Sequence, residues 1–118
     1  MGYSYVPLKM KAEVLRIKKA CELTVSIVSR LEPYIVPGVA SRRIDEICSS
    51  MIKASGGVSG LKGYKGYPAS LCISVNHVAA HGIPNDYKLQ NGDIVTIDLT
   101  AGLNGWYGDY AVTCGVGD

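Results

Sequence analysis

The dipeptide Asn104-Gly105 sits between two runs rich in β-branched and aromatic residues, 94–103 and 106–115. Both residues tolerate positive φ, so this is the strongest short-range signal for a two-residue hairpin turn, and it ties the end of the chain into one antiparallel ribbon. With these two as the turn pair, opposed residues have numbers summing to 209, which sets Thr100 opposite Asp109 and Asp98 opposite Ala111. Side chains alternate along a strand and opposed residues share a face. Thr96, Asp98, Thr100, Asp109, Ala111 and Thr113 therefore lie on one face, and Val95, Ile97, Leu99, Trp106, Tyr110 and Val112 form the core side.

This register makes Asp98 and Asp109 diagonal neighbours, with Cα atoms roughly 7–8 Å apart. Two carboxylates aimed at one point can share metal ions bound at about 2.0–2.2 Å. Without a cation, two like charges on a half-buried face repel, and one has its pKa raised. Spacing alone leaves open a solvated face carrying two unrelated aspartates.

Upstream, the chain reads as helical cover for a sheet. From about residue 10 to 31, Val14, Ile17, Cys21, Val25, Val28 and Leu31 recur at three- and four-residue steps, with Lys11, Arg16, Lys18 and Lys19 off that stripe. Pro33 ends the helix, because the residue before proline disfavours helical angles. Ser41 is the expected N-cap of a second helix with Ile44, Ile47, Met51 and Ile52 buried, stopped at Gly56-Gly57. A glycine-dense loop at 60–68 then holds Tyr64 and Tyr67. It lacks the glycine-lysine-serine helix start of a phosphate cradle. A strand at 71–75 follows, and both histidines of the chain, His77 and His81, fall in the loop after it.

The 118 residues fit one small α/β (α+β) domain, and the net charge of +2 is close to neutral. No basic patch stands out beyond a helix face, so neither nucleic acid nor a membrane is the expected partner. Cys21, Cys48, Cys72 and Cys114 are widely spread, which suits a reducing compartment and not a disulfide framework. With no signal-peptide pattern and no spanning apolar run, the expected location is cytoplasmic.

The stretches 63–76 (Gly-Tyr-Lys-Gly-Tyr-Pro-Ala-Ser-Leu-Cys-Ile-Ser-Val-Asn), 81–84 (His-Gly-Ile-Pro), 91–98 (Asn-Gly-Asp-Ile-Val-Thr-Ile-Asp) and 108–111 (Gly-Asp-Tyr-Ala), with 32–39 (Glu-Pro-Tyr-Ile-Val-Pro-Gly-Val) ahead of them, resemble type I methionine aminopeptidase. The likeness runs along essentially the whole chain and covers the front half of that family's catalytic domain. It implies the N-terminal half of a pita-bread fold, an antiparallel sheet under two helices, so that residues 1–118 form a single partial domain. It implies metal-dependent removal of the initiator methionine from nascent proteins whose second residue is small, with up to two divalent ions (cobalt, manganese, iron or zinc). By the same resemblance Asp98 and Asp109 are metal ligands, His81 contacts the scissile peptide, and Tyr64, Tyr67 and Cys72 wall the pocket for the methionine side chain. Two rings and a soft sulfur suit a thioether, at about 0.3–1.5 kcal/mol per sulfur–aromatic contact. His77 stands where the resemblance leads us to expect an acidic residue.

That family completes its site with a histidine and two glutamates from a second half. Two carboxylates fall short of the three protein ligands usual for a catalytic metal. The 118-residue chain by itself is therefore expected to be inactive or nearly so. The alternative expectation is a non-catalytic half-domain that binds peptide or self-associates, as a homodimer covering its sheet edge. Contact with the ribosome is suggested only by the nascent-chain substrate.

Overall fold

The computed structural model describes residues 11–76 and 82–117. Helix α1 spans Lys11–Leu31 and α2 Ser41–Ala54; strands follow as β1 (Val58–Ser59), β2 (Leu71–Val75), β3 (Ile94–Leu103) and β4 (Trp106–Gly115). All four strands make one antiparallel sheet with β3 at its centre. Leu99 pairs with both Leu71 and Tyr110, so β2 and β4 flank β3 on opposite edges, and β1 extends the β2 side by pairing Ser59 with Ala101.

The hairpin forms in the expected register. Asn104 and Gly105 have φ of 54° and 85°, Leu103 opposes Trp106, Thr100 opposes Asp109 and Asp98 opposes Ala111. Two consecutive positive-φ residues give a turn whose twist matches that of the strands it joins. One face of β3 then packs inward, with Val95, Ile97, Leu99 and Ala101 fully buried against Ile27, Val28 and Leu31 of α1 and Ile44, Cys48 and Ile52 of α2. Tyr110, on the same face but on the edge strand, remains partly exposed, and Trp106 is half-buried beside the turn.

Helix α1 presents a different stripe from the one its apolar pattern suggests. Ala20, Thr24, Ile27, Val28 and Leu31 are buried, whereas Val14, Cys21 and Val25 are exposed. The cause is a close approach to β4. A Cβ on Gly108 would stand 2.6 Å from the Cys21 Cα and 2.8 Å from the Ala20 carbonyl oxygen, so helix and strand touch through backbone there. The Thr24 hydroxyl seals this crossing by donating to the carbonyls of Ala20 (2.8 Å) and Gly108 (3.2 Å). Contact distance, not side-chain hydropathy, selects small residues at that point.

Ser41 is likewise not the N-cap of α2. Ala40 takes that position, and Ser41 is the first helical residue, its hydroxyl accepting from the Asn85 N–H (2.8 Å). The helix start is satisfied from outside: the Ser41 and Arg42 N–H groups donate to the carbonyls of Tyr87 and Asn85. Orphan donors at a helix N-terminus need acceptors from somewhere, and here the segment 85–89 provides them. An isolated bridge between Ala40 and Lys88 continues that seam.

Strand β2 is buried on both faces, Leu71 and Ile73 against the helices, Cys72 and Ser74 on the other side. Cover on that second side comes from Gly82, whose carbonyl accepts from the Ile73 N–H at 2.9 Å. A Cβ on Gly82 would lie 2.2 Å from the Ile73 carbonyl oxygen, within the strand's own backbone. Gly82→Ala is accordingly expected to lower stability by about 1–3 kcal/mol, the usual cost of overpacking. Gly115→Ala, where a Cβ would meet nothing within 4 Å, should leave the thermal unfolding midpoint unchanged.

Candidate metal centre

The face of the sheet turned away from the helices carries three cross-strand rows: Thr96 with Thr113, Asp98 with Ala111 and Thr100 with Asp109. The two threonine hydroxyls of the first row bond each other at 2.9 Å. In the third, the Thr100 hydroxyl donates to Asp109 Oδ1 at 3.3 Å, tying that carboxylate to β3. Ala111 is the smallest side chain in the set, and it stands opposite Asp98. Asp98 is half-buried and Asp109 exposed, consistent with a ledge that is closed on the β2 side and open along β4.

Cys72 pairs directly with Asp98 on that closed side and is only 4% exposed. Tyr67 sits above it. Its hydroxyl donates to the carbonyls of Leu71 (3.0 Å) and Gly82 (3.3 Å), joining the loop before β2 to the backbone after it. Burial pushes the Tyr67 hydroxyl well up, and hydrogen bonding with Cys72 and the charges of Asp45 and Asp98 add to that, so it stays a neutral donor. The loop itself is closed by hydrogen bonds between Gly63 and Tyr67 and between Tyr67 and Tyr64.

Of the residues singled out in the sequence, Asp98, Asp109, Tyr67 and Cys72 come to this one face. Tyr64 belongs to the same loop but is 64% exposed, with the Lys65 ammonium 5.5 Å above its ring. His81 and His77 lie outside the described residues. Asp45 was not singled out from the sequence; its Oδ1 accepts the N–H groups of Ser70 (2.8 Å) and Leu71 (3.1 Å), pinning the start of β2. Partial burial pushes its carboxyl up against those two bonds. Nothing in the local sequence signals that contact, which links groups 25 and 26 residues apart.

As a metal site, the ledge offers two hard oxygen donors at diagonal positions, the right chemistry for a small divalent cation. It is not complete. Among the described residues, no group of three or more His, Cys, Asp or Glu side chains converges to hold an ion. Two donors fall short of the three protein ligands usual at a catalytic metal.

The profile of metallopeptidase family M24 matches residues 16–118. The chain belongs to this family. It is 40% identical over 112 residues to the methionine aminopeptidase of Helicobacter pylori, covering 95% of this chain and 44% of that protein. Against the Escherichia coli methionine aminopeptidase the identity is 40% over 106 residues, covering 88% and 40%. Among solved structures, the methionine aminopeptidase of Rickettsia prowazekii superposes with a TM-score of 0.92 at 36% identity, covering 95% of this chain and 45% of the other. The prolidase of Pyrococcus furiosus superposes less closely, with a TM-score of 0.76 at 27% identity over 94% of this chain and 32% of that one. The M24 chain thus has part of the pita-bread fold, and it spans about half or less of the length of the methionine aminopeptidases it matches.

Thiol chemistry reports on the closed side of the ledge. Cys48, in the core, is pushed up to about 12 by burial and then by Asp45, and Cys72 is buried beside Tyr67, whereas Cys21 is exposed. A thiolate is the reactive form. Alkylation at pH 7 followed by peptide mass mapping should therefore label Cys21 rapidly and leave Cys48 and Cys72 unmodified until the chain is unfolded.

Proposed function

We propose that this M24 chain is the N-terminal half of a methionine aminopeptidase catalytic domain, acting in the cytoplasm to release the initiator methionine from protein N-termini with a small second residue. The observation that carries the reading is the Asp98–Asp109 diagonal, set by a hairpin of two ten-residue strands and lying beside Tyr67 and Cys72. The similarity to methionine aminopeptidases, with TM-scores above those of the prolidases, supports the same choice of substrate.

Asp98 and Asp109 would hold the divalent metal ions, of which manganese, iron, cobalt or zinc all accept oxygen ligands. When bound, such ions supply Lewis-acid stabilisation of the developing oxyanion and lower the pKa of a nucleophilic water. The chain's own residues do the rest. The Thr100 hydroxyl orients the Asp109 carboxylate. Tyr67 and Cys72 exclude water from the β2 side and present aromatic and sulfur surface to a methionine thioether, with Tyr64 as the outer wall. His81 would donate a hydrogen bond to the scissile peptide.

In the full-length protein, Asp98→Asn and Asp109→Asn should each reduce release of methionine from a Met-Gly-Ser peptide by more than the roughly 10–100-fold typical of outer-shell changes. Retained turnover in both variants would remove the assigned ligands. The 118-residue polypeptide alone should neither cleave that peptide nor bind manganese or cobalt tighter than about micromolar by calorimetry, since two donors fall short of a metal cage.

A further inference from the structure

Asp45 has no part in the metal ledge, yet the β2 side of that ledge is fastened to it. It lies half-buried on α2, and its Oδ1 accepts two consecutive backbone N–H groups, those of Ser70 and Leu71, where the glycine-dense loop turns into β2. Among the described strands, β2 is an edge of the sheet. Ile73 turns its N–H away from β3, to the Gly82 carbonyl, and Leu71, two residues earlier, turns the same way. Side chains receive it there. Asp45 takes the N–H at 3.1 Å, and the Tyr67 hydroxyl donates to the C=O at 3.0 Å. Leu71 is fully buried, so leaving these backbone groups unpaired would be costly.

One residue, Leu71, therefore joins a helix carboxylate to the wall of the ledge. Its carbonyl holds the Tyr67 hydroxyl, and the next residue, Cys72, stands opposite Asp98. The other ties of this region act at other atoms. The Ser49 and Ser70 hydroxyls bond each other at 2.7 Å. Ser59 Oγ donates to the Ser70 carbonyl at 3.5 Å and accepts the N–H groups of Leu61 and Lys62, and the Gly63 N–H closes the loop on the Tyr67 carbonyl. These fix the Ser70 side chain and the loop's own turns, and pairing with β3 holds the strand beyond. The two N–H groups at the entry to β2 fall to Asp45.

We propose that Asp45 is a positioning residue for the first side chain of the substrate: by holding the Ser70–Leu71 backbone it sets where the Tyr67 ring and Cys72 stand beside Asp98, and so the shape of the pocket they wall. A pocket sorts apolar side chains by shape, with discrimination of about 10–200-fold. That shape is kept only where the residues behind the wall are themselves held in place. The pocket part of the proposal rests on the methionine aminopeptidase reading; the backbone part does not.

The variant Asp45→Ala removes the acceptor, whereas Asp45→Asn keeps one carbonyl oxygen able to accept both N–H groups. In the full-length protein, Asp45→Ala should speed amide hydrogen exchange at Ser70 and Leu71 about tenfold and leave the β3–β4 hairpin unchanged. The KM for a Met-Gly-Ser peptide should rise about tenfold with kcat unchanged, and the preference for Met-Gly-Ser over Leu-Gly-Ser should fall by about the same factor, because the pocket loses its shape while the metal ledge is kept. Asp45→Asn should restore exchange, KM and preference. Asp45→Glu, which displaces the carboxylate by one methylene, should show the alanine pattern more weakly and serves if Asp45→Ala does not fold; Glu46→Ala, on the exposed side of α2, should show no effect. Unchanged exchange at Ser70 and Leu71, or exchange raised uniformly over the chain, overturns the proposal. Faster local exchange with the preference between the two peptides unchanged overturns the positioning role. If the wild-type protein releases no methionine, the peptidase reading fails, and exchange at Ser70 and Leu71 alone decides whether Asp45 holds that backbone.

Discussion

Everything at the metal ledge depends on the pairing of β3 with β4 in a single register. A slip of one residue would turn Asp98 or Asp109 into the apolar layer, because the side-chain period along a strand is two. Three things hold that register. The Asn104-Gly105 turn admits only the tight connection, the buried row of Val95, Ile97, Leu99 and Ala101 must face the helices, and Gly108 must lie under α1 where no side chain fits. The same constraint that keeps apolar groups out of water thus keeps the two carboxylates together on the opposite surface.

The sheet is asymmetric about β3, and the chemistry follows that asymmetry. On the β2 side the outer face is covered by the Tyr67 loop and by Gly82, so that Cys72 and Ser74 are buried and polar atoms there are paired. On the β4 side, Asp109, Ala111 and Thr113 stay exposed. The ledge therefore has a closed wall on one side and an open carboxylate on the other.

Polar groups do the fastening where hydrophobic burial is thin. Asp45 pins the first residues of β2, Asp93 joins Asn76 at the end of β2 to Tyr87 ahead of β3, and the Asn85 and Tyr87 carbonyls finish α2. Each is a contact between residues far apart in the chain. Such groups are costly to bury unpaired and strong when fully paired, which favours a defined placement over a loosely packed one.

The hairpin, the shared face of Asp98 and Asp109, the two helices and the stop at Pro33 were all legible in the residues, because turn chemistry and side-chain periodicity are local properties. The family likeness was legible in the motifs for the same reason. Three features were not. The buried stripe of α1 is rotated away from Val14, Cys21 and Val25 because Gly108 of a strand 84 residues from Thr24 sets the contact. Ser41 serves Asn85 instead of capping its own helix, and β1 is only two residues long, too short to carry a pattern. Local stereochemistry decided which residues could share a surface; only packing between distant segments decided which surface was closed, which side chains were spared for it, and where the polar ties fell.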